Sequence, residues 1–593
     1  MAKKQASQRT VPLKSATTRV ASPKPLERTS FFLRPATRES IESVIVAFVL
    51  AFLFRTFAAE AFVIPTGSMA PTLMGAHKDL LCPECGYRYQ AGASSESEDV
   101  AQQRGLKRPV VPIAAVTCPL CRYVTSVDPR TAAGREYPTY GGDRILVSKF
   151  NLEFDEPRRW DVTVFKYPGE AQTNYIKRLV GLPCETVRIW HGDLYFKGEG
   201  QDEFRFDRRE PTRLRAMAQI VYDNDCVGDS MTEAGWPLRW APQNVAESPT
   251  RDAAAWTSDD GGRSYQIDPA SDQPQWLVYR HYVPSVSDWR LLKRGRLPED
   301  FRATPMLITD FVAYNTSVHD DDQPPGPQQI GMHWVGDLMI ECQLDVMKAE
   351  GKVHLDLIKG GRHFRATIDT ATGDAQLSIP GLDQFQPRAR TIVRGPGSYH
   401  LTLANFDRQL VLWVNGTPIS FDAPTTYEPL DNDRPQSSAE DPGDLEPAGI
   451  ASEGAGARVS HLRLLRDIYY IATSGGLWVA DYDSAAPVFA GMSYDKLFEF
   501  WSTPALWNKS RGNLFDERRE ALFPLAADQF FVLGDNSPLS QDARLWSGER
   551  YVARDLLVGK AIFIFWPHSF DKFPGTNIPF PFFPNFARMR FIR

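Results

Sequence analysis

Hydrophobic and polar residues alternate along the middle of this 593-residue chain. In the run DLMIECQLDV the apolar side chains stand at every second position, namely Leu338, Ile340, Cys342, Leu344 and Val346. Similar short runs follow it: VHLDLI, FRATID, AQLSI, YHLTLAN and QLVLWVNGTPI, with GG, TG and NG between some of them. Period-two alternation broken by turn signals predicts antiparallel strands, so we expect a β-sandwich at about 330–466.

Other strand-like runs lie towards the two ends of the chain, at 62–73, 143–150, 161–167, 174–190 and 529–566. The segment 422–457 is rich in Pro, Asp, Glu, Ser and Gly, a composition that predicts a disordered loop. With 35 Phe, 20 Tyr and 14 Trp, the composition favours a β-rich protein over a helical one. We therefore expect a mainly β protein.

One apolar stretch, IESVIVAFVLAFLFRTFAAEAFVI at 41–64, is long enough to cross a membrane as a helix. Residues 1–38 hold nine Lys or Arg and a single acid, Glu27. By the positive-inside rule this tail stays cytoplasmic and the rest of the chain lies outside. The alternative is a cleaved signal peptide, but the tail is long for that and no clean A-x-A site precedes the motif FVIPTGSM. We predict a signal-anchor at 39–64.

A candidate nucleophile follows this stretch directly, in FVIPTGSMAPTL. The hydroxyl of Ser68 needs a base within hydrogen-bond reach, and the ten histidines are scattered. Lys177, in NYIKRLVGLP, has apolar neighbours on a predicted strand and could be neutral if it is buried. Arg178 would point to the opposite face of that strand. Alternatively, Lys177 and Arg178 form a solvated pair on an edge strand.

Five motifs in order carry a resemblance: IPTGSMAPTL, GDRILVSKF, DVTVFKYP, NYIKRLVGLP and FFVLGDNSPLSQDARLW followed by LVGKA. Together with the apolar stretch they resemble the type I signal peptidases, membrane-anchored serine proteases with a Ser/Lys dyad. The resemblance covers the predicted anchor, 62–73, 141–190 and 529–561. It implies an antiparallel β catalytic core behind an N-terminal transmembrane helix, here with an inserted β-sandwich.

The resemblance also implies roles for individual residues. Ser68 stands at the nucleophile and Lys177 at the general base. The Thr66 hydroxyl and the Ser68 backbone N–H would form the oxyanion hole. Positions with a supporting role are Arg178, Asp535, Ser540 (the serine that would hold the base lysine), Asp542 and Arg544. Cys184, Ser537 and Ala543 depart from the usual pattern and affect the surroundings of the dyad.

Two Cys-x-x-Cys pairs, CPECGY and CPLCRY, are separated by 32 residues between Cys85 and Cys118. Such knuckles resemble those of a zinc ribbon, so Cys82, Cys85, Cys118 and Cys121 are the predicted ligands of one structural zinc. Two disulfides or two redox pairs are the alternatives, because this part is expected outside the cytoplasm, where thiols oxidise. The remaining cysteines, Cys184, Cys226 and Cys342, read as core residues.

These observations divide the chain into parts. They are a basic tail (1–38), the anchor (39–64), the first part of the peptidase core (65–200) with the zinc-ribbon-like piece (76–140), a large insert (201–524), and the second part of the core (525–593). Within the insert, LTLANFDRQLVLWVNGTPI resembles laminin-G and concanavalin-like jelly rolls, some of which bind sugars or proteins. The ligand of the insert could therefore be a carbohydrate or a protein.

The hypothesis that follows is a single-pass enzyme of the cell (inner) membrane. It would remove signal peptides from exported preproteins after Ala-x-Ala-like sites, lie against membrane lipid, and need no cofactor for catalysis. The net charge of -6 and the absence of a strongly basic patch argue against nucleic acid. The alternatives are a non-enzymatic surface protein that displays the sandwich, and a relative of self-cleaving Ser/Lys repressors, which this chain's anchor and lack of a DNA-binding module disfavour.

Overall fold

The structure is a computed structural model. It describes residues 43–47, 59–97, 111–150, 155–243, 256–268, 271–319, 331–348, 350–429, 434–473, 481, 494–509, 518–573, 576 and 578–593. The chain divides into two units, Met1–Ala58 and Ala59–Arg593. In the first unit residues 43–47 are helical. The elements named below all belong to the second unit, and the expectation of a mainly β protein is confirmed.

The first sheet, called sheet 1, joins the two ends of the second unit. Its strands, in spatial order, are β1 (Ala59–Val63), β6 (Arg144–Ser148), β28 (Leu557–Trp566), β7 (Val162–Tyr167), β8 (Glu170–Gly181), β26 (Gln529–Leu533) and β27 (Val552–Ala553). Neighbours are antiparallel, and Lys177 on β8 stands opposite Thr163 on β7. A smaller sheet beside it contains β10 (Asp193–Gly198), β9 (Glu185–Trp190) and β25 (Glu520–Pro524).

Two further sheets form a sandwich. One has the order β11 (Gln219–Asp223), β24 (Gly456–Arg466), β15 (Leu338–Lys348), β20 (Gly397–Phe406), β21 (Gln409–Val414) and β22 (Thr417–Pro418), with β13 (Ser264–Ile267) also on β24. The other has the order β12 (Trp240–Pro242), β14 (Gln275–Tyr279), β23 (Ala448–Glu453), β16 (Lys352–Lys359), β17 (Arg362–Asp369), β18 (Asp374–Ser378) and β19 (Arg388–Arg390).

The predicted alternation places the sandwich core correctly. All five apolar residues of the 338–346 run are buried in one cluster, which also contains residues of β16, β17, β20 and β24. The sandwich nevertheless extends beyond 330–466, because β11–β14 supply strands from 219–279 to both sheets. These strands are only three to five residues long, so their sequence shows little periodicity.

Hairpins and short helices complete the described elements. The hairpins pair β2 (His77–Leu81) with β3 (Arg88–Gly92), β4 (Ala115–Thr117) with β5 (Val124–Ser126), and β29 (Ser569–Lys572) with β30 (Pro579–Pro584). The helices are α1 (Pro211–Met217), α2 (Asp229–Glu233), α3 (Val286–Leu292), α4 (Tyr494–Ser502) and α5 (Pro504–Lys509). We call β2–β3 and β4–β5 the cysteine hairpins, since each carries one Cys-x-x-Cys pair at its turn.

The end of the predicted membrane anchor needs correction. Residues 59–63, taken from sequence as the end of the helix, form β1 and pair with β6. Glu60 in this strand makes a 2.8 Å ion pair with Lys149, which explains an acid inside an apparently apolar run. Residues 1–38, and 39–42 and 48–58 of the predicted span, lie outside the described residues. Within the described residues no helix is long and apolar enough to cross a membrane.

The predicted loop at 422–457 also needs correction. Its last part contains β23, which lies between β14 and β16 in the second sheet of the sandwich. The sequence of this strand, AGIASE, is small and polar, yet Ala448 and Ile450 belong to the sandwich core. The Trp276 ring lies against Gly449, where an added Cβ would stand 3.1 Å from the ring. Packing against this ring therefore favours a small residue at position 449, and the glycine does not indicate a loop.

We predict that the sandwich cannot be excised at 330–466. Replacing these residues with a Gly/Ser linker would remove β24 and β23, the strands to which β11, β13 and β14 bond, and leave unpaired backbone and apolar edges. The deleted protein is expected to aggregate and lose its cooperative thermal transition, as measured by size-exclusion chromatography and calorimetry beside the full chain. A monodisperse, cooperatively unfolding deletion protein would contradict this dependence.

Candidate active site

Ser68 lies in a short turn at the edge of sheet 1. After β1 the chain continues through Ile64, whose N–H donates to Asp143 O at 2.9 Å, into a 3-10 turn over Gly67–Met69. We call residues 66–70 the serine turn. Met69 and Ala70 are fully buried and anchor the turn to the protein. Ser68 itself, directly before these two residues, is only partly buried.

The structure brings Lys177 to this serine. Lys177 is buried on β8, and its Nζ donates to Ser68 Oγ at 2.7 Å and to the carbonyl of Ile176 at 3.0 Å. Because side chains alternate across a strand, the next residue, Arg178, points away from the serine. The distance between Nζ and Oγ is within the range needed for direct proton transfer.

Burial sets the protonation of this lysine. Removal from water disfavours the ammonium and lowers the pKa of Lys177 from 10.5 to about 8. The carboxylates of Asp542 and Asp535 act in the opposite direction, and Arg544 adds a smaller repulsion. Desolvation outweighs the two acids, so a substantial fraction of the amine is neutral in mildly alkaline solution.

Arg178 and Asp535 form a fully buried ion pair behind the lysine. The guanidinium donates from Nε to Oδ1 at 2.7 Å and from Nη2 to Oδ2 at 2.6 Å, and its Nη1 donates to Trp160 O at 2.7 Å. Thr72 donates its hydroxyl to the same carboxylate at 2.5 Å. This two-bond pair ties β8 to the loop after β26 and to the chain that follows the serine turn.

The loop after β26 is held by a second buried pair. Arg544 makes two 2.8 Å bonds to Asp542, whose Oδ2 also accepts from Gly534 N at 3.0 Å. Arg544 further donates to the hydroxyl and the carbonyl of Ser537, both at 2.9 Å. The serine at 537, a departure from the family pattern, is therefore a direct partner of Arg544.

Ser540 and Thr66, two further positions that the resemblance implicates, are not tied to the dyad by hydrogen bonds within the described part of the chain. Ser540 Oγ is buried without a hydrogen-bond partner among the described residues, so the structure shows no bond from it to Lys177. It lies beside Gly534, where an added Cβ would be 2.1 Å from that oxygen. Thr66 is half-buried with an extended backbone (φ -125°, ψ 160°), and no hydrogen bond caps the turn from its side chain.

Asn536 bonds the backbone on both sides of the nucleophile candidate. Its N–H donates to Ser68 O at 3.1 Å, and its side-chain Nδ2 donates to Gly67 O at 3.0 Å. The same amide exchanges two 2.7 Å hydrogen bonds with the amide of Asn315, which lies in the large insert. Asn315 is not among the residues predicted from sequence, because nothing in VAYNTS marks a residue that bonds another 221 positions later.

Contact with Tyr314, the neighbour of Asn315, explains why residue 67 is a glycine better than the geometry of the turn does. Gly67 has no positive φ, but an added Cβ would stand 1.8 Å from the Tyr314 ring. The ring is buried against Ala70, Met74 and Val312, and its hydroxyl donates to Ala76 O at 2.8 Å. Glycine is needed here because the insert packs against the serine turn.

The four predicted metal ligands converge in the cysteine hairpins. Their sulfur atoms all lie within 4.8 Å of one another, with 3.5 Å between Cys82 and Cys121 and 3.7 Å between Cys85 and Cys118. Tetrahedral zinc with Zn–S bonds of about 2.3 Å spaces its sulfurs by about 3.8 Å. The two sulfur atoms of a disulfide are about 2.05 Å apart. The two sulfur–sulfur distances are close to the zinc value and too long for a disulfide, so the four buried cysteines could hold a metal ion.

Comparison with known proteins points to one family for part of the chain. A family profile described as "Signal peptidase, peptidase S26" matches residues 108–232 and 492–566. Two regions of the chain are signal-peptidase-like. The matched regions contain Lys177, Arg178, Asp535, Ser540, Asp542 and Arg544; Ser68 precedes them.

Individual relatives agree with this profile. Signal peptidase I of Pseudomonas aeruginosa is 45% identical over 71 residues, covering 10% of this chain and 25% of that relative. Signal peptidase I of Rickettsia bellii is 26% identical over 163 residues, covering 28% of this chain and 40% of the relative. The chain thus spans between a quarter and two fifths of the length of these relatives.

Solved structures overlap parts of the chain at low similarity. The carbohydrate-binding module CBM66 of Bacillus subtilis gives a TM-score of 0.21 at 9% identity, covering 38% of this chain and 94% of that module. The galectin LEC-6 of Caenorhabditis elegans gives 0.16 at 13% identity, covering 22% and 83%. Likeness at these TM-scores does not assign the sandwich to a fold family.

We predict that Gly67→Ala destabilises the protein. The new methyl group would collide with the Tyr314 ring, and overpacking of this kind costs about 1–3 kcal/mol in free energy of unfolding. Gly141→Ala is the matched control, since a Cβ there meets nothing within 4 Å. Denaturant unfolding should show the loss for Gly67→Ala alone. Equal stability of the two variants would mean that the Tyr314 ring does not contact the serine turn.

Proposed function

We propose that this chain is a membrane-anchored serine endopeptidase that removes N-terminal signal peptides from exported preproteins. The observation that carries the proposal is the 2.7 Å contact between Lys177 Nζ and Ser68 Oγ, made by a buried lysine with a lowered pKa. The peptidase S26 match and the signal peptidase I relatives support the same activity.

The proposed reaction uses the neutral amine of Lys177 as general base. It takes the hydroxyl proton of Ser68 while Oγ attacks the carbonyl carbon of the scissile peptide bond. The resulting oxyanion accepts hydrogen bonds from the Ser68 N–H and the Thr66 hydroxyl, whose side chain makes no bond to the turn. The ammonium then protonates the leaving amine. Water, activated by the same lysine, hydrolyses the ester and restores the serine.

This chemistry requires side chains and water alone. Arg178, Asp535, Asp542 and Arg544 would act indirectly, by fixing β8 and the loop after β26 on either side of the dyad. Ser540 would contribute only if its buried, unpartnered hydroxyl rotates or shifts towards Lys177 when substrate binds.

The substrate would bind as an extended chain beside β8, the strand that carries Lys177. β26 pairs with β8 only at Arg178, Leu179 and Gly181. The first part of β8 has β7 on one side and, within the described part of the chain, no strand on the other. A signal peptide ending in Ala-x-Ala could add there as a strand, with its small side chains directed at the dyad.

From the sequence pattern we also propose where the protein is located and what the sandwich binds. The basic tail would stay in the cytoplasm, the 41–58 stretch would cross the inner membrane once, and the peptidase would work outside, against membrane lipid. The sandwich could hold a carbohydrate or protein ligand. The resemblance of its strands to sugar-binding jelly rolls is the basis for that suggestion.

The four cysteines would hold one structural zinc. Zinc would link the turns of the two cysteine hairpins, which form separate two-stranded sheets. The two knuckles have matching backbones: Gly86 and Arg122 follow the second cysteine of each pair, and both have positive φ. The metal would have no part in the peptidase reaction.

We predict that cleavage requires neutral Lys177. Ser68→Ala and Lys177→Arg should both abolish processing of a preprotein by detergent-solubilised enzyme, since arginine stays protonated. For the wild type, kcat/KM should rise about tenfold per pH unit well below pH 8 and level off above it, because the amine loses its proton there.

The exposed Lys166 on β7 provides the matched control, and Lys166→Arg should cleave like the wild type. Processing by Lys177→Arg would remove this lysine from the mechanism. Preprotein left intact by the wild type, in membranes or detergent, would contradict the proposed function and favour a protein that only displays the sandwich.

We predict about one zinc per chain. Elemental analysis of purified protein should find it, and Cys85→Ser should lose the metal and lower the thermal transition. Cys184→Ser is the control, because Cys184 lies outside the cluster and, contrary to its prediction as a core residue, is exposed. Metal-free protein in which mass spectrometry finds two disulfides among the four cysteines would contradict the zinc site.

A further inference from the structure

A segment of the large insert lies between the cysteine hairpins and the serine turn. We call residues 313–318 the clamp segment. Ser317 donates its hydroxyl to Gly92 O of β3 at 2.6 Å. On the other hairpin, Thr117 N donates to Thr316 Oγ1 at 3.1 Å, and Val318 N donates to Ala115 O at 3.0 Å. The clamp segment is thus bonded to both hairpins and has little freedom to move independently.

From this fixed position Asn315 reaches the loop after β26. Asn315 and Asn536 are both buried, and each amide donates to the other at 2.7 Å. The two hydrogens of Asn536 Nδ2 are then both used, one by Asn315 Oδ1 and one by Gly67 O. Asn536 Oδ1 has its hydrogen bond from Asn315 Nδ2.

The backbone around Ser68 depends on this amide. Asn536 contacts the carbonyls of Gly67 and Ser68, one from its side chain and one from its main chain. Without Asn315, the buried Oδ1 of Asn536 would lose its donor, which is unfavourable enough to turn the side chain towards another partner. Turning it would release Gly67 O and let the serine turn shift away from Lys177.

We propose that Asn315 is a positioning residue for the dyad, supplied by the insert. Acting through Asn536, it holds Ser68 Oγ within hydrogen-bond reach of Lys177 Nζ. This inference rests on the proposed function, because its catalytic consequence is a change in the rate of peptide cleavage. Its structural consequence, a looser serine turn, can be measured without any substrate.

The test is Asn315→Leu, which keeps the approximate shape and removes both amide bonds. Displacements of about 1 Å at a reacting atom cost on the order of 10²-fold in rate, so kcat should fall by about 10- to 100-fold. KM should stay close to the wild-type value, because Asn315 does not lie on the proposed substrate strand. Asn315→Ala, which leaves room for water to bond Asn536, should fold readily and show a smaller loss.

The matched control is Asn224→Leu. Asn224 is also a buried asparagine of the insert, and its side-chain amide donates to Gly262 O and Arg263 O rather than to a residue that bonds the serine turn. Loss of these bonds should lower stability but leave kcat unchanged. A fall in kcat equal to that of Asn315→Leu would show that any buried asparagine of the insert matters equally, which contradicts positioning.

A double-mutant cycle separates positioning from general damage. If Asn315 acts only through Asn536, then Asn315→Leu should lower kcat little or not at all when Asn536→Leu is already present. Additive losses would overturn the proposal.

Hydrogen exchange supplies the readout that needs no activity. The backbone N–H of Asn536, which donates to Ser68 O, should exchange its hydrogen faster in Asn315→Leu and Asn315→Ala than in wild type or Asn224→Leu. Unchanged exchange would refute the proposal even if the chain cleaves no preprotein. If wild type and Ser68→Ala are equally inactive while exchange rises as expected, the proposed function fails and the positioning of the turn stands.

Discussion

The hydrogen bond between Lys177 Nζ and Ser68 Oγ joins segments 109 residues apart and requires a buried amine. An ammonium taken out of water costs several kcal/mol unless it is paired, so a lysine in this position tends to lose its proton. Asp535 and Asp542 would reverse that tendency if they faced the amine directly. Each is instead bonded by its own arginine, Arg178 or Arg544, and desolvation prevails.

Sheet 1 places Lys177 and Arg178 on opposite faces of one strand. Successive residues of β8 point to opposite faces, so one strand directs Lys177 to the serine turn and Arg178 to Asp535 behind it. The loop after β26 then contacts both faces, through Asp535 on one side and Asn536 on the other. In the proposed mechanism, rigidity of these contacts keeps the amine and the hydroxyl aligned before substrate arrives.

The insert is integrated with this core. Apolar residues of the cysteine hairpins share one buried cluster with Trp236 and Trp289 of the insert. Trp289 donates its indole N–H to Cys121 O at 2.9 Å, and the Arg122 guanidinium lies 3.3 Å from the centre of the Phe311 ring. The clamp segment continues from this contact to the serine turn. Gly67 is the clearest mark of the association, because it accommodates a tyrosine that only the insert provides.

Local periodicity made much of this predictable. The alternation over 338–346 gave the sandwich core, the pattern around Lys177 gave the two faces of β8, and the knuckle spacing gave the cysteine cluster. Features set by distant contacts were not predictable. Asn315 carries no motif. The sequence of β23 suggests a loop because its glycine accommodates a tryptophan. The sequence of β1 suggests the end of a helix because the strand that pairs with it begins only at Arg144. The resemblance suggested a bond from Ser540 to the lysine, and the described structure does not contain it.

The most direct measurement is capture of the covalent intermediate. Enzyme mixed with a preprotein, quenched in acid within a turnover and digested, would be mapped by mass spectrometry. We expect a signal peptide joined through its new C-terminal carboxyl to the hydroxyl of Ser68, and no adduct in Ser68→Ala. Efficient cleavage by Ser68→Ala, or an adduct on a different residue, would contradict the assignment of Ser68 and Lys177 as the reacting pair.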